Sequence, residues 1–464
     1  MPEVSGSLST SSPFGSELGA ELLGQRAHED MRSSPSLAVV KPSHKYRFLI
    51  IGGGIAGTTA AETLRKREPD ATIAIVTDEP YRLYSRVLLS KPAFLTGEHH
   101  VDSAWLKTEA WYREQKIDLM VAVSAHELDP ETKTVRLSNG DILGYEKLLL
   151  ALGTHSRKWY IPGRDKLGVH NLRTLDDAKG IIDDLHAGKK HAVMIGSSCV
   201  TYEVADILRS KGIEVTEIMR ERYFWEPTLS KEEAEITEKQ LVERGVTLLP
   251  ETEVTEILGD AEVMGVVLKD KNAITCGGDG RTIDCDMVFA FIGIVLPVEW
   301  LTSSGIALEH GIIANEYLET SIPDVYTAGD CARYKDTILG DSVIMGSWMN
   351  AVKQGEVAAG NMLGDKKPYA LISFHSSHGF GDMISFAGDA RMRPDRECIM
   401  RGSTAERKLG RIILSGGRVV GATMVNRTQE LATLVKLISL KTDVTGKKAE
   451  LADVNFDLKT LLPK

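Results

Sequence analysis

Three glycines with the spacing G-x-G-x-x-G, Gly52, Gly54 and Gly57, are the residues of this sequence best suited to holding phosphate groups. At this spacing the first glycine permits a tight turn, the second lets the backbone approach a pyrophosphate, and the third lets a helix pack closely on a strand. The start of that helix offers N–H groups and the positive end of its dipole to the phosphates. The spacing therefore predicts a dinucleotide site, if a strand precedes the glycines and a helix follows them.

The flanking residues supply both elements. Phe48 to Ile51 is a short apolar, β-branched run, which predicts a buried parallel strand, and Thr58 to Arg67 continues with helix-forming residues. A second predicted strand, Thr72 to Val76, ends just before Asp78 and Glu79, whose carboxylates can accept hydrogen bonds from ribose hydroxyls. Strand, glycine loop, helix, strand and terminal acid, in that order, predict a βαβ fold that binds a dinucleotide.

An internal copy of this unit lies 144 residues later, where Ala192 to Arg209 aligns without a gap with Phe48 to Arg65. The first glycine is retained as Gly196, but Ser198 and Thr201 replace the other two. A serine hydroxyl can itself bond a phosphate, whereas a branched threonine is expected to disturb the contact between helix and strand. Two such folds predict two nucleotides, or one nucleotide beside a retained scaffold that binds nothing tightly.

The second strand of the copy, Val215 to Met219, has no acid at its end and is followed by Arg220 and Arg222. An arginine in place of the acid is how such folds accommodate the 2′-phosphate of NADP. If the copy binds a pyridine nucleotide, the sequence therefore favours NADPH over NADH.

Bulk properties exclude several classes of partner. The chain has 464 residues, enough for several domains, and its net charge of −10 argues against nucleic-acid and anionic-membrane partners. No apolar run approaches the ~20 residues that cross a bilayer. Five scattered cysteines, without C-x-x-C or metal-ligand spacing, predict free thiols, no metal site and a cytoplasmic location. Residues 1–44, rich in serine and small polar residues, are expected to form a disordered tail.

The rest of the chain predicts further strands and helices. A hairpin with an Asn-Gly turn is expected at 135–143, followed by a separate strand at 148–152. Met287 to Gly293 is an apolar strand expected to return to the first domain, and the strand at 324–330 ends in Asp330, at the edge where ligands bind in doubly wound sheets. Trp348 to Leu363 predicts a helix, and strands then alternate with turns before a last helix, Gln429 to Leu440.

We therefore expect an α/β chain of two doubly wound, Rossmann-like nucleotide-binding domains, the second inserted in the first, with a C-terminal α+β domain. The predicted boundaries are 45–160 with 288–366 for the first domain, 161–287 for the inserted domain and 367–464 for the C-terminal domain.

Several segments together resemble a known family: IIGGGIAG, EPYRLYSRVLLSK, KLLLALGT, IPG followed by NLRTLDDA, VYTAGD, SWMNAVKQG followed by AAGNMLG, and NFDLKTLL. From about Tyr46 to the C-terminus the chain resembles the FAD-dependent pyridine nucleotide-disulfide oxidoreductase superfamily. The ferredoxin and rubredoxin reductase branch is nearest, with the apoptosis-inducing-factor group nearby. The resemblance implies FAD in the first domain and NAD(P)H in the inserted one, whose glycine motif is degenerate.

The resemblance also implies roles for individual residues. The FAD pyrophosphate would lie on the loop from Gly52 through Gly54, Ile55 and Ala56 to Gly57. Asp78 or Glu79 would bind the adenosine ribose, and the backbone of Val123 would contact the adenine. Other parts of FAD would contact Arg86, Ala151, Gly153, Asp330 and Trp348. The second nucleotide would use Gly196, Ser198, Arg220 and Arg222. Lys91 would lie near flavin N5 as part of a catalytic pair with Glu203, a chemically sensible arrangement because a cation stabilises anionic reduced flavin.

One departure limits the chemistry. Disulfide reductases of the superfamily carry a cysteine pair beside the flavin, early in the first domain, whereas this chain has no cysteine before Cys199, for which we predict a small buried thiol. The resemblance then implies electron transfer from NAD(P)H through non-covalent FAD to a redox protein such as ferredoxin or rubredoxin, or to a partner redox subunit. The alternatives are an NAD(P)H oxidase that uses oxygen, and a flavoprotein whose inactive pyridine-nucleotide site leaves its FAD to be reduced by a partner or kept structurally. The resemblance also admits a homodimer, because dimers are common in the superfamily.

Overall fold

The computed structural model describes residues 42–272 and 278–463. Its first sheet carries the first glycine loop, with parallel strands in the order β3-β2-β1-β6 and the antiparallel hairpin strands β5 and β4 beyond β6. The elements of this part are β1 (His44–Ile51), α1 (Ile55–Arg67), β2 (Ile73–Val76), α2 (Pro92–Leu95), α3 (Glu109–Glu114), β3 (Ile117–Met120), β4 (Ala125–Asp129), β5 (Thr134–Leu137), β6 (Ile142–Leu150) and β7 (His155–Ser156).

Two details of this sheet correct the sequence predictions. The hairpin arm at 141–143 and the strand at 148–152 form one strand, β6, because Gly144 continues the extended backbone and pairs with Lys45 of β1. The predicted tail extends too far: Ser43 donates its backbone N–H to the Ile142 carbonyl oxygen at 2.8 Å, and His44 begins β1. Residues 1–41 of that predicted tail lie outside the described residues.

The inserted part repeats the parallel arrangement, in the order β11-β10-β9-β15-β8, and a three-stranded antiparallel sheet, β12-β13-β14, covers one of its faces. This confirms the predicted second Rossmann-like fold. Its elements are β8 (Val169–His170), α4 (Leu175–His186), β9 (His191–Ile195), α5 (Cys199–Ser210), β10 (Glu214–Ile218), α6 (Lys231–Glu243), β11 (Val246–Leu249), β12 (Thr252–Leu258), β13 (Gly265–Asp270), β14 (Thr282–Asp284) and β15 (Met287–Ala290).

The boundary predicted at residue 288 is wrong, because it divides β15. All four residues of β15 are buried, and the strand pairs in parallel with β9, from Met287 beside Ala192 to Ala290 beside Ile195. β15 therefore stands to β9 as β6 stands to β1, and it belongs to the inserted sheet rather than returning to the first.

The chain returns to the first fold through a short antiparallel ribbon of β16 and β7, and β18 then adds to the first sheet in parallel beside β6. The last helix of this part packs closely on α1: a Cβ atom at Gly355 would lie 2.3 Å from the Ala56 carbonyl oxygen. The elements are β16 (Ile294–Val295), β17 (Ile312–Ala314), β18 (Val325–Thr327), β19 (Ala332–Lys335), β20 (Ser342–Val343) and α7 (Trp348–Met362).

The C-terminal part is an antiparallel five-stranded sheet, in the order β21-β22-β25-β24-β23, with a helix packed on one face, as predicted for an α+β domain. Two contacts hold it to the inserted part. Edge strand β21 lies along α5, and Arg411 of β24 forms a buried ion pair with Glu233 of α6 at 2.9 Å. The elements are β21 (Phe374–Gly379), β22 (Asp382–Gly388), β23 (Glu397–Ser403), β24 (Lys408–Ser415), β25 (Arg418–Val425), α8 (Leu431–Ser439) and α9 (Lys448–Ala452).

Among the described residues, no helix combines the length and the apolar character needed to cross a lipid bilayer.

Candidate cofactor-binding and redox site

A cavity of about 470 Å³ lies at the carboxyl edge of the first sheet, between the starts of α1 and α7 and the first turn of α5. This is the edge at which doubly wound folds bind ligands. The predicted cofactor residues that line it are Gly54, Ile55, Ala56, Glu79, Arg86, Ala151, Gly153, Asp330 and Trp348. The cofactor residues predicted from the sequence therefore form about a third of the lining of one cavity.

The first glycine loop has the geometry of a phosphate cradle. Gly52 has a φ of +119°, and a Cβ atom there would lie 2.0 Å from the Ala151 carbonyl oxygen. A Cβ atom at Gly57 would lie 2.0 Å from the Gly52 carbonyl oxygen, so these two glycines are required by the turn and by the strand–helix contact. At Gly54, by contrast, no described atom would lie within 4 Å of a Cβ. Gly54 therefore leaves open space over the start of α1, which fits a bound pyrophosphate.

The two candidate ribose ligands face different partners. Glu79 lines the cavity, accepts a hydrogen bond from the Tyr84 hydroxyl at 2.5 Å and pairs with Arg86. Asp78 instead contacts His155 Nε2 at 3.0 Å, and this hydrogen bond is the main cause of a lowered Asp78 pKa. Of the two predicted ribose ligands, only Glu79 lines the cavity.

Arg173 lines the cavity and was not singled out from the sequence. Its Nε donates to the Thr154 carbonyl oxygen at 2.8 Å, and its Nη2 lies 3.7 Å from Asp330 Oδ2. Burial lowers the Arg173 pKa, as does the nearby Arg86 cation, and burial also raises the Asp330 pKa. A signal was available, because Thr174 and Asp177 form a capping box that fixes Arg173 immediately before α4.

The predicted pair of Lys91 and Glu203 forms at the junction of the three parts of the chain. Lys91 Nζ lies 2.9 Å from both carboxylate oxygens of Glu203, which also accept hydrogen bonds from Ser90 at 2.5 Å and from Ser377 of β21 at 3.3 Å. The Glu203 side chain is 10% exposed and that of Lys91 is 36% exposed. Their neighbours Ser90, Cys199 and Val200 line the cavity, which places this charged pair beside it. Cys199, predicted to be a buried thiol, is half-buried, and desolvation raises its pKa to about 11.

The second glycine loop keeps the turn of the first. Gly196 has a φ of +94°, and a Cβ atom there would lie 2.4 Å from the Phe291 carbonyl oxygen. The expectation that Thr201 disturbs the strand–helix contact is wrong: Thr201 is fully buried, and its hydroxyl donates to the Gly196 carbonyl oxygen at 3.1 Å. Threonine therefore replaces the close backbone contact with a hydrogen bond.

The remaining predicted ligands have protein partners. Arg220 Nε lies 2.8 Å from Glu253 Oε1, and Arg222 forms an ion pair with Glu226, four residues later in the chain. The N–H of Val123 donates to the Thr77 carbonyl oxygen at 3.0 Å, so only its carbonyl oxygen remains for an adenine contact. Val123 follows β3, which ends at Met120, and Ala122 between them has a φ of +56°.

Comparison with known proteins confirms the resemblance drawn from the motifs. The profile of the pyridine nucleotide-disulphide oxidoreductase family matches residues 46–355, and that of the Reductase C-terminal domain matches residues 377–462. The chain is 28% identical over 414 residues to the biphenyl dioxygenase system ferredoxin–NAD(+) reductase component of Paraburkholderia xenovorans, covering 89% of this chain and 97% of that protein.

Two further similar proteins are a longer reductase and a reductase in complex with its redox partner. The chain is 29% identical over 405 residues to the nitrite reductase (NAD(P)H) of Bacillus subtilis, covering 86% of this chain and 48% of that protein, so it spans about half that length. The crystal structure of the covalent putidaredoxin reductase–putidaredoxin complex matches with a TM-score of 0.80 and 26% identity, covering 91% of this chain and 98% of that one. Because the family profile extends over most of the sequence, this chain belongs to the pyridine nucleotide-disulphide oxidoreductase family.

Proposed function

We propose that this chain is an FAD-dependent oxidoreductase that transfers electrons from NAD(P)H to a small redox protein of the ferredoxin or rubredoxin type. The observation that carries the proposal is the Lys91–Glu203 ion pair beside the cavity, at the place where the two nucleotide folds meet. Family membership supports FAD and NAD(P)H as the cofactors.

The cavity walls supply groups that suit FAD. Gly54 and the first turn of α1 would hold the pyrophosphate, Glu79 the ribose, Asp330 the ribityl or pyrophosphate side, and Trp348 the isoalloxazine ring. When bound, FAD accepts an electron pair from a nicotinamide and releases electrons one at a time. The protein contributes binding, orientation and electrostatics.

Lys91 would provide the main electrostatic contribution. Its ammonium group favours negative charge that develops beside it, and a partly water-excluded site strengthens this effect. Glu203 holds the ammonium in one position, and Ser90 and Ser377 donate to the same carboxylate, so the carboxylate is itself fixed. We therefore assign Lys91 and Glu203 the catalytic roles.

The electrons must leave the protein, because the sequence places no cysteine pair early in the first domain, beside the flavin, to receive them. No cysteine precedes Cys199, and the raised pKa of that thiol disfavours the reactive thiolate. Two relatives support a protein acceptor by name, one as a ferredoxin–NAD(+) reductase component and one as a complex with putidaredoxin.

The preferred electron donor is NADPH in our proposal, with Arg220 and Arg222 as ligands of the 2′-phosphate. Both guanidinium groups are about two-thirds exposed, so their ion pairs with Glu253 and Glu226 are weak enough for a phosphate to replace. We further propose a cytoplasmic location, which the sparse, scattered cysteines support, and a homodimer, which light scattering of the purified protein would test.

One observation favours a second candidate, a flavoprotein whose FAD is reduced by a partner. Two of the three glycines of the second loop are replaced, by Ser198 and Thr201, so this loop lacks two of the residues that let such folds bind a pyrophosphate.

Anaerobic titration separates the candidates. FAD-loaded protein is mixed with NADPH, then separately with NADH, and the visible flavin absorbance is followed. Bleaching by either, followed by recovery when oxidised ferredoxin or rubredoxin is added, supports the reductase. Flavin that neither nucleotide bleaches supports reduction by a partner. In a separate aerobic assay, rapid oxygen consumption with NAD(P)H and no added carrier would contradict both candidates in favour of an oxidase.

A further inference from the structure

The two glycine loops differ at one position in a way that bears directly on phosphate binding. Gly54 and Ser198 both occupy the N-cap of the helix that follows, α1 and α5 respectively. At Gly54 the space that a side chain would fill is open to the cavity. At Ser198 that space holds a side chain whose oxygen accepts the backbone N–H of Thr201 at 3.2 Å.

Both hydrogen-bonding functions of the Ser198 hydroxyl are used within the protein. The Thr201 hydroxyl donates its proton to the Gly196 carbonyl oxygen at 3.1 Å. Either oxygen can donate in the 3.0 Å contact between the Ser198 and Thr201 hydroxyls, and while the Thr201 hydroxyl donates to Gly196 the donor is Ser198. Ser198 thus gives its proton to Thr201 and receives the Thr201 N–H in return, and it keeps no proton for a phosphate oxygen.

The neighbouring serine is held in the same way. Ser197 Oγ accepts the backbone N–H of Trp225 at 2.9 Å, which ties the second glycine loop to the segment after β10. Ser197 is not at the N-cap, so it provides a matched control: a serine in the same loop with an internal hydrogen bond but no position over the start of α5.

We propose that Ser198 sets the affinity of the second nucleotide fold: its self-capping hydroxyl occupies the space where a pyrophosphate must approach the backbone, and so weakens NAD(P)H binding. The inference rests on the proposed function, in which this fold binds a pyridine nucleotide. The second glycine of such loops is there to permit this close approach, and the chain has replaced it with a side chain that stabilises the helix instead.

The test is a gain of binding in Ser198→Gly. Calorimetric titration with ADP-ribose, which carries the pyrophosphate but no nicotinamide, should give a Kd about tenfold lower in the variant than in the natural protein. That factor corresponds to one added hydrogen bond to a charged group, while a glycine N-cap costs the helix little. Ser197→Ala should leave the Kd within twofold, and flavin content and circular dichroism confirm that both variants fold.

The reverse substitution gives an independent measurement. Gly54→Ser has room for its side chain, and it should cap α1 and raise the Kd of FAD about tenfold. Ser198→Gly that binds ADP-ribose no more tightly than the natural protein overturns the inference, and NADPH reduction of the natural flavin in the same preparation leaves the proposed function standing. Failure of both proteins to bind ADP-ribose, together with a flavin that NADPH and NADH do not reduce, overturns both.

Discussion

Asp330→Asn should change FAD binding and the stability of the apoprotein in opposite directions. Asp330 lines the cavity, and burial raises its pKa although Arg173 and Arg86 lie nearby. In the flavin-free protein the ionised Asp330 carboxylate therefore lowers the free energy of unfolding. In the FAD complex the same carboxylate is proposed to accept hydrogen bonds from the cofactor, and a neutral amide would do this less well.

The magnitudes follow from these two roles. Loss of a hydrogen bond to a charged group costs about 1.5–3 kcal/mol, so the Kd of FAD should rise about 10- to 100-fold. For stability, the raised pKa means that the folded apoprotein binds the proton more tightly than the unfolded chain. The free energy of unfolding therefore falls as pH rises from about 4, the ordinary Asp value, through the raised pKa. The amide of Asp330→Asn does not titrate, so its unfolding free energy lacks this decrease with pH. The variant apoprotein should therefore be more stable than the natural apoprotein at neutral pH, and the difference in stability should shrink toward pH 4.

The assay uses apoprotein prepared by removing flavin, with thermal unfolding measured from pH 4 to pH 8 and FAD binding followed by quenching of flavin fluorescence. Asp336→Asn is the matched control: burial also raises the Asp336 pKa, but this carboxylate accepts backbone N–H groups of Ile338 and Leu339 and does not line the cavity. Its FAD affinity should be unchanged. An Asp330→Asn protein with natural FAD affinity, or an apoprotein less stable than the natural one at pH 7, would refute the reasoning.

Three further predictions concern other parts of the molecule. Glu203→Gln should slow flavin reduction by NAD(P)H about 10- to 100-fold in stopped-flow experiments, because Lys91 loses its charged partner. The flavin content should be unchanged, and a reduction rate within twofold of that of the natural protein would contradict this prediction. Iodoacetamide at pH 8 should modify exposed Cys398 before Cys199, whose pKa of about 11 leaves about one thiolate in a thousand, and mass spectrometry of peptides would reveal the opposite order. Arg401→Met should destabilise the C-terminal part by about 3 kcal/mol in denaturant unfolding, because buried Arg401 pairs with Glu430; a loss below 1 kcal/mol would mean that the remaining contacts compensate.

What the sequence predicted well is encoded locally. The β1–α1 unit and its copy follow from apolar runs, glycines and helix-forming residues within about 20 positions. The Lys91–Glu203 pair is different, because only the family resemblance connects two residues so far apart in the chain. The walls contributed by Asp330 and Trp348 were likewise found, because each lies at the start or end of a regular element.

What the sequence did not predict depends on distant pairing. Four apolar residues such as Met287–Ala290 fit equally well in either sheet, and only the pairing with β9 assigns β15 to the inserted fold. The partner of Arg220 is Glu253 on β12, which no local pattern connects to it. Arg173 was overlooked because an arginine before a helix is common on protein surfaces, and its burial against Asp330 is a property of the assembled cleft.

The carboxylate of Glu203 joins pieces of chain that are made at very different times during synthesis. Ser90 and Lys91 are made first, Glu203 follows with the inserted fold, and Ser377 is added only when β21 emerges. A chain that ends before β21 would contain both nucleotide folds yet lack one donor to this carboxylate. Local opening of the C-terminal sheet would remove the same donor in a complete chain. A structural change far from the glycine loops would then alter how firmly Glu203 holds Lys91.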